Sequence, residues 1–148
     1  MNNHSTRWSL AAALLAAVVL AGCGGDSDSG TSSKADWEKK HGSVVAAVST
    51  DVDAANGALD KGERPVILNS CNQLKADMAD AHKALPVPDA TADSSLRAAF
   101  DAIDTAVPTC LQGAQVASDA HLVEQAQREM KTARDKLDEA QTAIAAWS

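Results

Sequence analysis

The clearest pattern in the chain is a row of apolar residues that recurs every three or four positions between residues 65 and 86. Its members are Ile67, Cys71, Leu74, Met78, Ala81 and Leu85. This spacing places all six side chains on one face of an α-helix. Pro65 suits the first turn of a helix, and Pro86-Val87-Pro88 ends one. The pattern therefore predicts a helix from about Pro65 to Leu85 with one buried face.

The same periodicity predicts three more helices. They run from Ala35 to about Lys61, from a capping stretch at 89–94 to about Ala114, and from Ser118-Asp119 to about Trp147. Their apolar rows are Trp37, His41, Val44, Val45, Val48, Val52, Ala55 and Leu59; Leu96, Phe100, Ile103, Val107, Cys110 and Ala114; and Val123, Ala126, Met130, Ala133, Leu137, Ala140, Ile144 and Trp147. Helices joined by such short connections pack as antiparallel neighbours. The predicted fold is an all-α, up-down-up-down four-helix bundle.

Pro108 conflicts with the helix predicted around it. An interior proline removes one backbone hydrogen bond and crowds the carbonyl of Asp104, so a kink is expected. The simpler interpretation is that the bend aims Cys110, and the alternative is that it shapes a ligand groove.

The N-terminal segment has the composition of an export signal. Arg7 precedes Leu10 to Ala21, an almost wholly apolar stretch of twelve residues, which is too short to span a bilayer because spanning takes about 20 residues. Leu20-Ala21-Gly22-Cys23 resembles the lipobox of bacterial lipoproteins. The resemblance implies cleavage after Gly22 and attachment of a diacylglyceryl group, with fatty-acyl chains such as palmitate, to Cys23. The alternative is an ordinary secretory signal that is cut elsewhere.

Three regions follow from this interpretation: a cleaved signal peptide at 1–22, a lipidated cysteine and flexible linker at 23–34, and one domain at 35–148. Residues 24–33 contain only Gly, Ser, Asp and Thr, so they bury no apolar surface. The expected location is the extracytoplasmic face of the cell membrane, where the lipid holds the protein.

Two cysteines remain in the domain, Cys71 and Cys110. An exported protein meets an oxidising compartment, and each cysteine falls in the apolar row of its helix, facing the core. We therefore predict one disulfide between them; the alternative is two buried free thiols.

The charge balance bears on possible partners. The formal net charge is −7, and it becomes −8 when residues 1–22, whose one charged side chain is Arg7, are removed. A nucleic-acid ligand needs a cluster of cationic residues, and none is visible along the chain. No run of basic residues follows Cys23 to hold anionic headgroups either.

We find no motif for catalysis, metal or haem. Glu38-x-x-His41 is a lone Glu-x-x-His, without the second one on a facing helix that a di-iron bundle requires, and no Cys-x-x-Cys-His or Gly-x-Ser-x-Gly sequence is present. We therefore predict no catalytic residues, cofactor or metal. His41 is either a hydrogen-bonded core histidine or a pH-sensitive group. His82, with Asp77 and Asp80 before it, is interpreted as solvated surface in preference to a loose cation site.

Along the last predicted helix, residues of opposite charge lie four positions apart. The pairs are Glu124 with Arg128, Lys131 with Asp135, and Arg134 with Asp138. This spacing is typical of an exposed face stabilised by ion pairs along one helix.

The domain is similar to small, functionally uncharacterised lipoproteins and secreted helical proteins of high-GC Gram-positive bacteria. The similarity lies in Trp37, Cys71-x-x-Leu74, the stretch 85–89, and the stretch 110–114 before Ser118-Asp119. It implies a four-helix lipoprotein with one disulfide and carries over no activity.

Two functions remain open. The first is a non-enzymatic binding module that is anchored to the membrane through Cys23 and recognises a protein partner in the cell envelope. Trp37 and Trp147 can meet at one end of the bundle. There they either contact the partner or close the end of the hydrophobic core. The alternative is a carrier that holds a small molecule or metal between its helices.

Overall fold

The computed structural model describes residues 33–116 and 119–148, which form four α-helices. The helices are α1 Lys34–Lys61, α2 Arg64–Ala81, α3 Ala90–Gln115 and α4 Ala120–Ala146, and a 3₁₀ turn at His82–Ala84 follows α2. The predicted all-α fold is confirmed. The predicted signal peptide, the linker up to residue 32 and Cys23 lie outside the described residues. Within those residues, none of the helices is long and apolar enough to cross a membrane.

Capping residues mark the starts of three helices and the end of α1. The side chains of Ser33, Asp89 and Asp119 each accept a hydrogen bond from a backbone N–H in the first turn of the helix that follows, which compensates for partners missing at a helix start. Gly62 ends α1 with a φ of 70°, a conformation that glycine adopts without a steric penalty. Ser118, the other predicted cap, lies outside the described residues.

Each helix packs against the next one in the chain, and α1 also packs against α4. The two ends of the α1–α4 pair show that it is antiparallel. Lys34 Nζ donates to the Trp147 carbonyl oxygen at 2.8 Å, and Gln127 Nε2 donates to the Leu59 carbonyl oxygen at 3.2 Å. The predicted up-down-up-down bundle is confirmed.

The predicted apolar rows meet along the axis of the bundle. Its largest fully buried side chains are Phe100, Leu59, Ile67, Leu74, Leu96, Ile103, Met130 and Leu137. Cys71 and Cys110 lie among them, bonded to each other across α2 and α3 with their Cα atoms 6.2 Å apart. The predicted disulfide is present. It links the apolar rows of α2 and α3 because each cysteine is a buried member of its own row.

A row of buried small residues lies on the α3–α4 pair, and only its α3 members were absent from the apolar rows predicted from the sequence. Its members are Ala92, Ala99, Ala106 and Gly113 on α3, and Ala126, Ala133 and Ala140 on α4, all buried and spaced by seven. Small side chains at heptad spacing let two helix axes approach closely. Accordingly α3 and α4 have the most extensive contact of the four neighbouring pairs, and α1 and α4 have the least.

The second helix is shorter than predicted. It ends at Ala81, and Leu85 is extended, with φ −91° and ψ 146°. A residue that precedes proline is disfavoured in the α conformation, and Pro86 follows Leu85 directly. By contrast, α3 continues from Ala90 to Gln115 through Pro108.

Candidate functional site

A groove with a volume of about 530 Å³ lies between α1 and α4. We call it the α1–α4 groove. It is lined by Asp53, Asn56 and Asp60 from α1 and by Glu124, Gln127, Arg128, Lys131, Arg134 and Asp135 from α4. It lies between the two neighbouring helices with the least extensive contact. Polar and charged side chains line its whole length because the small-residue row of α4 faces α3.

Hydrogen bonds between the helices hold the walls of this groove. Arg134 Nη1 donates to Ser49 Oγ at 2.8 Å and to Asp53 Oδ2 at 3.0 Å, while its Nη2 donates to Asp138 Oδ1 at 2.8 Å. One guanidinium thus joins α1 to α4, in the forked geometry that suits arginine. Asn56 Nδ2 adds a bond to the Met130 carbonyl oxygen at 3.4 Å.

Two cations of the groove have no ion-pair partner among the described residues. They are Arg128 and Lys131, both exposed. Of the three predicted pairs along α4, only that between Arg134 and Asp138 forms. Pairs along one helix contribute only a few tenths of a kcal/mol, so side-chain freedom easily outweighs them. The groove therefore presents two free positive charges on a protein of net negative charge.

The lining of the groove determines the chemistry it favours. It contains carboxylates, amides, guanidinium groups and an ammonium group, and it lacks a hydroxyl, thiol or imidazole. Charged and amide groups of both signs bind polar partners through ion pairs and hydrogen bonds. The arrangement favours non-covalent binding of a polar group that offers charges of both signs.

The predicted site residues lie elsewhere. Cys71 and Cys110 are in the core, and Cys23 is outside the described residues. Within residues 33–116 and 119–148, no three His, Cys, Asp or Glu side chains are grouped to hold a metal ion. Periodicity could not single out Arg128 and Lys131, since their lack of partners depends on tertiary geometry.

The two tryptophans of the domain do meet. Their ring centroids are 6.1 Å apart in an edge-on arrangement, and Trp37 Nε1 donates to the Ala84 carbonyl oxygen at 2.9 Å. Trp37 is 5% exposed, so it plugs the core at this end, and Trp147 is half-buried beside it. The pair closes the end of the bundle at which α1 begins.

The histidines have separate environments. The His41 ring lies 5.7 Å from the Trp37 ring, and burial together with the Lys40 ammonium lowers the pKa of His41 below its usual value. His82 contacts Asp104 at 2.9 Å and the edge of the Phe100 ring. His82 therefore pairs with Asp104 of α3 and forms no cation site with Asp77 and Asp80 among the described residues.

Two carboxyl groups face each other between α1 and α2. Asp51 Oδ2 is buried without a hydrogen-bond donor, and Asp77 Oδ2 accepts from Gln73 Nε2 at 3.0 Å. Burial, a hydrogen bond with Asp77 and repulsion from Asp77 raise the pKa of Asp51 to about 6. The pKa of Asp77 is lowered, mainly by its hydrogen bond with Asp51. The two side chains therefore share one proton in mildly acidic solution.

This pair makes stability depend on pH. The native pKa of Asp51, about 6, lies above the value of about 3.9 expected in the unfolded chain. The native state therefore holds the proton more tightly, and the stabilisation from Asp51 is full below about pH 4 and declines as the pH rises to about 6.

Replacing Asp51 by Asn is expected to raise the free energy of unfolding by about 1 kcal/mol at neutral pH and to leave it unchanged near pH 4. The figure is smaller than the whole pKa shift implies because Asp51 is partly solvated. Urea unfolding at both pH values measures the effect, with the exposed Asp101→Asn as the control. A variant that keeps the wild-type pH profile would contradict the assignment.

In comparisons with known proteins, no protein-family model, curated protein or solved structure matches the chain.

Proposed function

We propose that this protein is a non-enzymatic binding module of the cell envelope, anchored to the outer face of the membrane through lipid on Cys23, and that its binding face is the α1–α4 groove. The observation that carries the proposal is a pair of cations, Arg128 and Lys131, that have no ion-pair partner within residues 33–116 and 119–148 and lie in a groove of about 530 Å³. The sequence Leu20-Ala21-Gly22-Cys23 supports the anchor.

The groove suits recognition because its walls are preorganised. The bonds from Arg134 to α1 fix the spacing of the two helices, so little ordering is required on binding. Arg128 and Lys131 lie free on one wall, while Asp60, Glu124 and Asp135 supply negative charge nearby. A partner segment that places a carboxylate on the two cations and a basic group beside them matches this pattern.

Replacing both cations by glutamine is expected to weaken capture of the partner about tenfold. Each charge near the rim of an interface contributes roughly 0.5–1 kcal/mol, and about 1.4 kcal/mol changes affinity tenfold. The measurement is crosslinking in cells that produce the full chain, followed by quantitative mass spectrometry of purified membranes. The matched control is Lys39→Gln/Lys75→Gln, which removes the same charge from exposed positions outside the groove.

A Cys23→Ala form tests the anchor in the same experiment. A partner captured by the wild type and the control, and lost from the groove variant and from Cys23→Ala, supports both parts of the proposal. Equal capture by the Arg128→Gln/Lys131→Gln variant would show that the binding face lies elsewhere. If the wild type captures no protein above background, the carrier alternative gains, and a thermal shift with small ligands becomes the next test.

A further inference from the structure

A second hollow, of about 280 Å³, lies at the end of the bundle where α1 begins. We call it the proximal hollow. Its lining comes from the first turns of α1 and from the segment after α2: Asp36, Trp37, Lys40, His41, Lys83, Leu85, Pro86 and Pro88. The chain enters α1 at this end through Ser33, the helix cap. Residues far apart in the sequence thus form one surface next to the start of the domain.

The rim of the hollow carries two ammonium groups. Lys40 has no ion-pair partner among the described residues, and Lys83 pairs only with Asp80. That pair is weak because both side chains are about 70% exposed, so solvent screens it and Lys83 can exchange partners. The one carboxylate in the lining, Asp36, already accepts a hydrogen bond from Ser33 Oγ at 2.7 Å.

The floor of the hollow is apolar. Trp37 closes it from below, Leu85 is half-buried, and the rings of Pro86 and Pro88 are exposed. Trp147 contacts Trp37 at the same end. Aromatic rings beside lysines are typical of surfaces at a membrane–water interface, where the rings meet the headgroup level and ammonium groups meet phosphates.

We propose that this end of the bundle rests on the bilayer, and that the proximal hollow binds the phosphate headgroup of an anionic lipid. Lys40 and Lys83 pair with the phosphate, His41 donates a hydrogen bond to it, and the apolar floor contacts the glycerol carbons. The inference rests on the lipid attachment at Cys23 in the proposed function, which delivers this end to the membrane. From its Gly/Ser-rich composition, the predicted linker at 24–33 has an expected root-mean-square span of about 17 Å.

This contact orients the domain. With the start of α1 at the bilayer, the residues of α1 that line the α1–α4 groove lie roughly 30–40 Å above it, because a helix rises about 1.5 Å per residue. The groove then faces sideways into the envelope, clear of the headgroups. Membrane contact and partner binding use separate surfaces.

The test uses the full chain with Trp8→Phe, reconstituted in vesicles of phosphatidylcholine alone or mixed with phosphatidylglycerol. A spin label at headgroup depth quenches the fluorescence of Trp37 and Trp147 when this end touches the bilayer. We expect quenching that requires phosphatidylglycerol, is lost in Lys40→Gln/Lys83→Gln and falls with added salt. The control, Lys61→Gln/Lys75→Gln, carries the same charge change away from the hollow and keeps the quenching.

Three results would overturn the inference: equal quenching in both vesicle types, equal loss in the control variant, or no quenching. Inorganic phosphate that shifts the NMR signals of His41 as strongly as the mixed vesicles do would also overturn it, since the ligand would then be a soluble anion. Intact mass reports the acyl group on the same samples. If the acyl mass is missing, only the lipid tether is refuted. The quenching experiment still tests whether the proximal hollow binds anionic lipid.

Discussion

Replacing both Cys71 and Cys110 by alanine is expected to lower the free energy of unfolding by about 4 kcal/mol. The disulfide joins residues 39 apart in the sequence, and closing a loop of that length removes conformational entropy from the unfolded chain by about this amount. The loss is a large share of the roughly 5–15 kcal/mol that stabilises a domain. Urea unfolding of the wild type and the double variant measures it.

Reduced wild-type protein is the control for this prediction. It keeps both sulfur atoms in the core and loses only the covalent link, so it should unfold close to the double variant. Thiol labelling before and after reduction verifies the starting state. Equal stability of oxidised and reduced protein would show that the link does not constrain the unfolded chain, and the entropic argument would be wrong.

Replacing Phe100 by alanine is expected to lower the free energy of unfolding by about 3–5 kcal/mol. Phe100 is the one phenylalanine of the chain and is fully buried. Removing its ring deletes buried apolar area and leaves a cavity that the neighbouring helices fill only in part. The variant also loses the edge-on contact with His82, whose ring centroid lies 5.4 Å away.

Two variants calibrate this experiment. Phe100→Leu keeps most of the volume and is expected to cost less than about 1.5 kcal/mol. Leu68→Ala on the exposed face of α2 is expected to change stability by about 0.5 kcal/mol or less, since Leu68 is 37% exposed. A Phe100→Ala variant as stable as Leu68→Ala would contradict the packing described for the core.

Much of the fold was predictable because its signals are local. Gly62 and Asp89 mark helix ends through their own backbone and side-chain chemistry, and the large apolar residues repeat at the helical period. The α3 members of the small-residue row, Ala92, Ala99, Ala106 and Gly113, were missed for a physical reason. Alanine is common on buried and exposed positions alike, as at Ala99 and Ala98, so its hydropathy does not distinguish them.

The candidate site was much less predictable. Arg128 and Lys131 sit at the spacing of paired charges, and only the positions of their side chains show them unpartnered. Asp51 and Asp77 come from different helices, so their shared proton is invisible along the chain. Lys40 and Lys83 form no basic run, yet the bundle places both on one hollow. Each of these features depends on how close the side chains of different elements lie in the folded protein, and periodicity along the sequence does not specify that distance.

The sequence alone predicts the number of helices, the caps at Gly62, Asp89 and Asp119, the large apolar residues buried on each helix, and the pairing of the two domain cysteines. The helices and caps depend on interactions between residues that are close in the sequence. Two cysteines in the domain allow only one pairing within it. Three-dimensional packing sets which helix faces meet closely and which leave a groove between them. That outcome follows from packing small residues between α3 and α4, which leaves polar side chains along α1 and α4 facing solvent.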